Sequence, residues 1–387
     1  MKRGSTGRYE TTSVGGETVK SFIPRPLPPV PPLKLDGPLQ PLLERALLAL
    51  GRLDTVSTLL PGTSLFLYMY VRKEAVLSSQ IEGTQSSLSD LLLFELDQAP
   101  GVPLSDVKEV SNYVAAMNHG VKRLRDGFPL SARLLREIHE TLLAKGRGSD
   151  KEPGQFRRSQ NWIGGSRPGT AVFVPPPHTF VEESISDLEK FIHAEDRDLP
   201  LVVKAALLHV QFETIHPFLD GNGRVGRLLV TLFLCSAGIL HDPLLYLSLY
   251  FKEHRANYYR LLDGVRKDGD WEEWIAFFLL GVAETAEGAS TTARRLVALF
   301  EKDRARIQRT GRQAGSALRV HEILKQRPLC SLGEAAKRSG LSFPATGSAM
   351  ESLVENGIVR ELTGKKRNRI FVYQKYLSVL GEGTEPI

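Results

Sequence analysis

The sequence has few cysteines, no long apolar run and no apolar leader. Its two cysteines, Cys235 and Cys330, are too few for a disulfide framework or a zinc cluster and fit a reducing compartment. The longest nearly apolar run, residues 228–240, has 13 residues, whereas a membrane-spanning helix needs about 20. Residues 1–18 are polar and lack the apolar segment of a signal peptide. These absences predict a cytoplasmic protein without a membrane partner.

Two common catalytic signatures are also missing. The chain has no Gly-x-x-x-x-Gly-Lys and no His-Glu-x-x-His segment, so neither a P-loop nor a zinc-protease site is predicted. The 387 residues are 42% hydrophobic and 24% charged, which is a globular composition. At roughly 100–200 residues per domain, two or three domains are expected.

The positive charge is concentrated at one end of the chain. Residues 290–387 hold 18 Lys or Arg and 9 Asp or Glu, whereas the rest holds 32 and 35. A basic module on a nearly neutral body indicates an acidic partner such as nucleic acid, or simply a solvated basic surface.

Stretches rich in proline and glycine separate the predicted structural segments of the chain. The first 20 residues are expected to be disordered, and the eight prolines of residues 24–41 predict an extended strap. Helical spacing of apolar residues then predominates up to about residue 312, with separate helices predicted over 271–287 and 294–312. The exception is a Gly/Pro-rich segment with two β-like pieces, 160–163 and 171–174, which predicts a hairpin.

The last 70 residues have a pattern of their own. Three helices are predicted, and the second begins with a capping box formed by Ser331 and Glu334. Two strands, 358–361 and 370–373, flank a turn with Lys365, Lys366 and Arg367. This order predicts a winged helix-turn-helix with a basic wing.

The residues that carry most chemical information lie between two predicted helices, and they read HPFLDGNGRVGR from residue 216 to residue 227. Gly221 and Gly223 allow close backbone approach, and the N–H groups at a helix start attract anions. Arg224 and Arg227 lie three residues apart, so they share one helix face and can hold phosphate oxygens.

Two other side chains of this segment can supply acid–base and metal chemistry. Asp220 can hold a divalent cation that bridges phosphates, and His216 can act as a general base toward a hydroxyl. Each feature alone has an ordinary explanation: a structural histidine, a Gly-Asn-Gly turn, a solvated arginine face. Their joint order favours a nucleotide phosphate site for phosphoryl or nucleotidyl transfer.

These twelve residues resemble the signature of the Fic family of nucleotidyltransferases, His-x-Phe-x-Asp/Glu-Gly-Asn-Gly-Arg-x-x-Arg, without a departure. The resemblance extends from the strap to about Glu287. It implies an all-α fold, a Fic-type helical bundle with a short β-hairpin called the flap, followed here by the winged helix-turn-helix domain. It also implies transfer of AMP from ATP to a Tyr, Ser or Thr hydroxyl of a target protein, with release of pyrophosphate.

The same resemblance implies a role for each matched residue. His216 takes the hydroxyl proton, Phe218 anchors the loop in the core, and Asp220 holds Mg²⁺. A small residue at position 223 favours adenylylation over phosphorylation, because the α-phosphate can then reach the nucleophile. The nucleotide-binding residues of the motif are Gly221, Asn222, Gly223, Arg224, Gly226 and Arg227, with the two arginines on the β- and γ-phosphates.

A second segment, Ser78-x-x-x-Glu82-Gly83, resembles the family's inhibitory motif. The Glu82 carboxylate is expected to pair with Arg227 in a bidentate manner, which occupies the guanidinium that the γ-phosphate needs. Ser78 would help to fix the helix or the glutamate. The alternative is an ordinary helix end, and the presence of the catalytic motif favours autoinhibition.

Three residues and the flap complete the predicted site. Tyr250 and Asn257 resemble adenine-pocket residues or are ordinary surface residues, and Gln211 is expected to face the nucleotide. The flap would align an extended target segment by strand addition. The predicted segments are a disordered N-terminus with the strap (1–38), a helical region with the inhibitory motif (39–110), the Fic core (111–288), a linker helix (289–315) and the winged helix-turn-helix (316–387).

The winged helix-turn-helix leaves a second function open. Its wing could contact DNA phosphates, yet the recognition helix, 343–356, contains no Lys or Arg, and winged helices also dock proteins or a second copy of the chain. The alternative to an adenylyltransferase is therefore a DNA-binding regulator that uses the Fic site as a nucleotide sensor.

Overall fold

The computed structural model is mostly helical, as the sequence predicted, and it describes residues 3–59, 63–96, 104–195, 198–364 and 368–385. The helices of the first part are α1 (Leu39–Leu59), α2 (Thr63–Ile81), α3 (Leu88–Glu95), α4 (Leu104–Arg125), α5 (Ala132–Leu142), α6 (Val181–His193), α7 (Leu201–Ile215), α8 (Asn222–Ser236), α9 (Ser248–Glu253), α10 (Arg255–Asp268) and α11 (Trp271–Gln308). Among these residues no helix has the length and apolar character needed to span a membrane.

Helix α7 forms the centre of the bundle. All its residues except Leu201 are buried, which is the pattern of a helix surrounded by others. It packs against α8, α6 and α11, and the Trp274 indole N–H donates to the carbonyl of Ala206 at 2.9 Å. Because α7 and α8 are consecutive and both central, the loop that joins them is held at one end of a rigid core.

Helix α11 is one continuous helix of 38 residues. The sequence predicted a break near residues 288–293, and this prediction was wrong. Ala289 and Ala293 are buried, and α1 packs along α11. A single helix-interior glycine, Gly288, costs only about 1 kcal/mol, which this burial offsets.

An N-terminal hairpin forms where disorder was predicted. Strands β1 (Gly7–Val14) and β2 (Glu17–Pro24) pair antiparallel, and the turn residues Gly15 and Gly16 both have positive φ, as a two-residue hairpin turn requires. Phe22 is fully buried, with its ring 5.2 Å from that of Tyr9. The polar composition concealed this apolar anchor, which ties the hairpin to the bundle.

The flap is less regular than the predicted hairpin. Its two β-like pieces meet in one antiparallel bridge, between Ile163 and Phe173, in the part of the chain that the structure describes. The N-terminal hairpin continues this arrangement, because the Phe22 N–H donates to the Val174 carbonyl at 2.9 Å. Glu17 accepts hydrogen bonds from Arg167 and from the Gly169 N–H, each at 2.6 Å.

The C-terminal part has the element order predicted for a winged helix-turn-helix. Its elements are α12 (Ala314–Gln326), β3 (Leu329–Ser331), α13 (Leu332–Ser339), α14 (Phe343–Glu355), β4 (Arg360–Glu361), β5 (Ile370–Val372) and α15 (Gln374–Gly381), with sheet order β3-β5-β4. Ser331 caps α13 by accepting from the Glu334 N–H. The wing residues Lys365, Lys366 and Arg367 lie outside the described residues.

Candidate active site

The loop between α7 and α8 begins at a residue with a strained backbone conformation and ends at a glycine, which adopts positive φ without strain. His216 ends α7 with φ of 49°, which is rare for a residue with a side chain, and Gly221 precedes α8 with φ of 78°. Strain of this kind persists only where the surroundings impose it, and it is concentrated at functional sites.

A buried histidine, His139, supports this loop by ring stacking and hydrogen bonds. The ring of Phe218 is fully buried and stacks on that of His139, with centroids 3.8 Å apart. Nδ1 of His139 accepts from the Gly154 N–H at 2.9 Å, so its Nε2 carries the proton and donates to the Asp220 carbonyl at 3.0 Å. Burial lowers the pKa of His139 to about 4, which keeps this ring neutral.

The asparagine of the motif closes the loop on itself. Asn222 Oδ1 accepts from the Phe218 N–H, and Nδ2 donates to the Phe218 carbonyl, both at 2.8 Å. Arg157 holds the other side, because its Nε donates to the His216 carbonyl at 2.9 Å. The side chain of Asn222 is thus occupied by the loop, which leaves its backbone N–H for a ligand.

The imidazole of His216 is neutral and only one-fifth exposed. Burial lowers its pKa to about 3, with help from the charges of Arg157 and Arg266. Its Nδ1 is buried and has no hydrogen-bond partner within the described ranges. The Glu213 carboxylate lies 4.0 Å from that nitrogen.

Glu213 is a functional candidate that the sequence analysis missed. Its side chain is buried, and burial raises its pKa to about 7. A Cβ at position 226 would overlap Glu213 Oε1, so Gly226 makes room for this carboxylate. An acidic residue three positions before His216 in an apolar helix was the available signal, since residues three apart share a helix face.

Both motif arginines are paired with carboxylates. Arg224, which is buried, lies 2.6 Å from the equally buried Glu109 of α4 and 3.5 Å from Asp220. Arg227 lies 2.7 Å from Glu82. Glu109 is separated from Arg224 by 115 positions in the chain, and nothing in the local sequence indicated this pair.

The contact of Glu82 with Arg227 differs in one detail from the prediction. Nη2 of Arg227 donates to Glu82 Oε1, while its Nε donates to Ser78 Oγ at 2.8 Å. The expected bidentate carboxylate pair was therefore wrong, because the serine hydroxyl takes the second arm of the fork. Ser78 and Glu82 together hold the guanidinium, whereas Ser78 was expected to fix the helix or the glutamate.

The position of the Glu82 carboxylate marks an anion site. Burial alone would raise the pKa of Glu82, but the charge and hydrogen bond of Arg227, together with the charge of Arg224, outweigh it and lower the pKa. A Cβ at position 223 would overlap Glu82 Oε1, so the carboxylate lies directly against Gly223 at the start of α8. The helix start and the Arg227 guanidinium meet at this point, as a phosphate cradle requires.

Asp220 is suited to a divalent cation that takes most of its ligands from the phosphates of a bound nucleotide and from water. Its Oδ1 accepts from the Gly221 N–H at 2.6 Å, and one-third of its side chain is exposed. No group of three potential metal-ligating side chains occurs among the described residues. Mg²⁺ uses one or two carboxylates together with substrate phosphates and water, so a single carboxylate beside the anion site fits.

The three outlying predictions have ordinary contacts. Gln211 donates to the Arg25 carbonyl of the strap at 2.9 Å. Tyr250 is buried with its ring 4.9 Å from that of Phe277, and Asn257 is exposed and accepts from Arg260. A role for Gln211, Tyr250 and Asn257 in nucleotide binding remains a prediction.

Helix α14, which the sequence predicts as a recognition helix, has a surface poorly suited to DNA. Its exposed residues include Phe343, Glu351 and Glu355, and α14 contains no Lys or Arg. Arg369 of the wing lies 3.5 Å from Glu351. These features do not favour contact of α14 with phosphates.

Comparison with known proteins points to one family. A profile described as Fic/DOC family N-terminal matches residues 40–122, and one described as Fic/DOC family matches residues 129–234. A curated Culex quinquefasciatus protein, named Protein adenylyltransferase Fic, is 32% identical over 202 residues, which are 51% of this chain and 37% of that protein. An Aedes aegypti protein of the same name is 29% identical over 266 residues, covering 63% and 49%. The chain thus spans less than half the length of these relatives.

Solved structures agree in fold. A Fic family protein from Desulfovibrio desulfuricans G20 has a TM-score of 0.55 at 21% identity and covers 86% of this chain and 96% of its own. A Fic domain containing signaling protein from Bacteroides thetaiotaomicron has a TM-score of 0.52 at 20% identity, covering 64% and 95%. At these identities the likeness concerns the fold.

Proposed function

We propose that this chain, whose residues 40–122 and 129–234 match the Fic/DOC family profiles, is a Fic protein adenylyltransferase that transfers AMP from ATP to a Tyr, Ser or Thr hydroxyl of a protein. One observation carries the proposal. The carboxylate of Glu82 lies against Gly223 at the start of α8 and accepts from Arg227 at 2.7 Å, so an anion already occupies the helix start that follows the neutral base His216. The curated relatives named protein adenylyltransferase support the same reaction.

In the proposed reaction, the imidazole of His216 takes the proton of the target hydroxyl. The hydroxyl oxygen then forms a bond to the α-phosphorus of ATP, the bond from that phosphorus to the bridging oxygen breaks, and pyrophosphate leaves. The low pKa of His216 keeps its ring unprotonated at neutral pH. Glu213, 4.0 Å from Nδ1, supplies negative charge that stabilises the imidazolium once it forms.

The phosphates would lie at the start of α8. Backbone N–H groups of Asn222 and Gly223 and the helix dipole favour anions there, and Arg224 and Arg227 would neutralise the β- and γ-phosphates. Asp220 would hold Mg²⁺, which when bound supplies positive charge that neutralises the pyrophosphate leaving group.

We further propose that the structure represents an autoinhibited state. Nη2 of Arg227 donates one hydrogen to Glu82 at 2.7 Å and one to the Ser78 carbonyl at 3.0 Å, so it has none left for a phosphate. A γ-phosphate at the same place would also meet the Glu82 carboxylate, and two anions at one site repel each other. Activation therefore requires Glu82 to leave Arg227.

The position of the radioactive label distinguishes AMP transfer from phosphorylation. We expect α-labelled ATP, in the presence of Mg²⁺, to label the purified Glu82→Gly protein. We expect γ-labelled ATP to leave the same protein unlabelled. Incorporation from γ-labelled ATP would show a kinase, and binding of ATP without any incorporation would favour a nucleotide sensor. The Glu82→Gly/His216→Ala protein is the control, because it keeps the phosphate cradle and lacks the base.

A further inference from the structure

We propose that the segment after α15, residues 382–385 (here called the tail), holds the inhibitory helix α2 in place, so that the C-terminal domain regulates the site at Arg227. The proposal rests on the proposed adenylyltransferase function and names a control element of the same site. It arises from contacts between α2 and a segment about 300 residues further along the chain, and no sequence motif connects the two.

Two side chains of α2 donate to the tail backbone. Nζ of Lys73 donates to the Glu382 carbonyl at 2.7 Å, and Nε2 of Gln80 donates to the Thr384 carbonyl at 2.8 Å. Lys73 and Gln80 are seven positions apart, which is two helical turns, so they lie on one face of α2. Both are buried. The tail therefore lies along the last two turns of the helix that leads to Glu82.

A lysine from the catalytic bundle joins this contact. Lys252 of α9 donates to Gln80 Oε1 at 2.8 Å, to the Gly383 carbonyl at 3.3 Å and to the Glu385 carbonyl. One ammonium group thus links α9, α2 and the tail. Since an ammonium offers three hydrogens and accepts none, these three acceptors account for its full capacity.

The tail fits its seat closely. Gly383 has φ of 81°, and a Cβ at that position would lie 2.7 Å from Leu249 Cδ1. Thr384 is buried. Glu382 forms a two-bond pair with Arg295 of α11 at 2.6 and 2.7 Å, but that pair is exposed and contributes little. Shape and the buried donors therefore fix the tail.

The contact is placed where it controls Glu82. Gln80 stands between Ser78 and Glu82, the two residues that hold Arg227. Loss of the tail removes these acceptors and opens Lys73 and Gln80 to water, and Nε2 of Gln80 then keeps only its bond to the Ser86 carbonyl at 3.0 Å. The last turn of α2 would then rearrange toward water and carry Glu82 with it.

The C-terminal domain can transmit its own position to this contact. The tail continues directly from α15, and α15 packs on α2 and α11. The guanidinium of Arg327, just after α12, lies 5.5 Å from the ring centroid of Tyr68 on α2. A ligand that displaced this domain would draw the tail away from α2.

A double-mutant cycle tests the proposal. Two variants remove the tail from its seat: a chain that ends after Gly381, and Gly383→Val in the full chain, which cannot adopt the positive φ and collides with Leu249. Gly333→Val is the matched control, because an added Cβ there meets no atom within 4 Å among the described residues. Self-adenylylation with ATP and Mg²⁺ is followed by intact-mass spectrometry in the wild-type and in the Glu82→Gly background.

We expect both tail variants to raise the wild-type rate about five- to tenfold, within the usual range of coupling between sites, and to leave the Glu82→Gly rate unchanged. Equal stimulation in both backgrounds, or none in the wild type, would overturn the tail's role. An inactive Glu82→Gly protein would instead refute the proposed function.

Hydrogen exchange gives a readout that does not depend on activity. The amides of Glu82 and Thr84 donate to the Ser79 carbonyl, and that of Gly83 donates to the Gln80 carbonyl. These three amides should exchange faster in both tail variants and not in Gly333→Val. Unchanged exchange in both tail variants would refute the proposal even if the enzyme proved inactive.

Discussion

Removal of the Glu82 carboxylate should activate the enzyme by an amount that the structure allows us to estimate. The carboxylate accepts one charge-assisted hydrogen bond from Arg227, and such bonds contribute about 1.5–3 kcal/mol. One-third of the Glu82 side chain is exposed, so the lower part of this range, about 1.5–2 kcal/mol, is appropriate. At 1.4 kcal/mol per factor of ten, Glu82→Gly should raise the rate about 10- to 30-fold.

The assay is the initial rate of AMP addition, measured by intact-mass spectrometry with ATP and Mg²⁺. Gln85→Gly is the matched control, since it introduces a glycine at an exposed side chain three positions away. Because the Arg227 charge lowers the pKa of Glu82, the carboxylate stays ionised and paired at neutral pH. The pair is lost only when the pH falls through the lowered pKa, below the usual carboxyl range. Equal rates for wild type and Glu82→Gly between pH 6 and 8, with both proteins folded, would refute autoinhibition by this contact.

Four further predictions follow from the same geometry. In the Glu82→Gly background, His216→Ala should lower the rate of AMP transfer about 10²- to 10⁴-fold without loss of ATP binding by calorimetry; near-normal turnover would exclude His216 as the base. Glu213→Gln should slow turnover about tenfold or more and change its pH profile. The pKa of Glu213 in the folded protein, about 7, exceeds the ordinary 4.5. Glu213→Gln should therefore raise the free energy of unfolding by about 3 kcal/mol above pH 7 and by nothing below pH 4.5; an equal gain at both pH values would contradict this. His139→Ala should cost about 2–4 kcal/mol in urea unfolding, because it leaves a cavity under the loop and two backbone groups unpaired; an unchanged urea midpoint would contradict its supporting role. Phe22→Ala should release the N-terminal hairpin to limited proteolysis with a smaller effect on global unfolding than His139→Ala, and a protease-resistant hairpin would show that Phe22 is not its anchor.

The sequence predicted the chemistry of the loop because that chemistry is local. The order from His216 to Arg227 places base, carboxylate, helix start and two guanidiniums within one turn and one helix, so few folds could separate them. Ser78 and Glu82 could be assigned only through a resemblance, and the structure then brought them to Arg227.

Contacts between distant segments could not be predicted in this way. Glu109 meets Arg224 across 115 positions, and its surroundings in α4 look like any amphipathic helix. The N-terminal hairpin was misjudged for a related reason: its composition is polar, and its anchor, Phe22, packs on Phe173 of the flap as well as on Tyr9 of its own hairpin. Propensity describes a segment in isolation, whereas both features depend on a partner surface.

The unbroken course of α11 fixes the angular phase of the C-terminal domain. At about 1.5 Å per residue the helix is about 57 Å long, and each residue inserted into its second half would turn everything beyond it by about 100°. Seven added residues would nearly restore the direction but push the domain about 10 Å along the axis. The number of residues in α11 therefore determines the orientation of the C-terminal domain relative to the bundle. Insertions of one to seven alanines would show how much change in this orientation the protein tolerates.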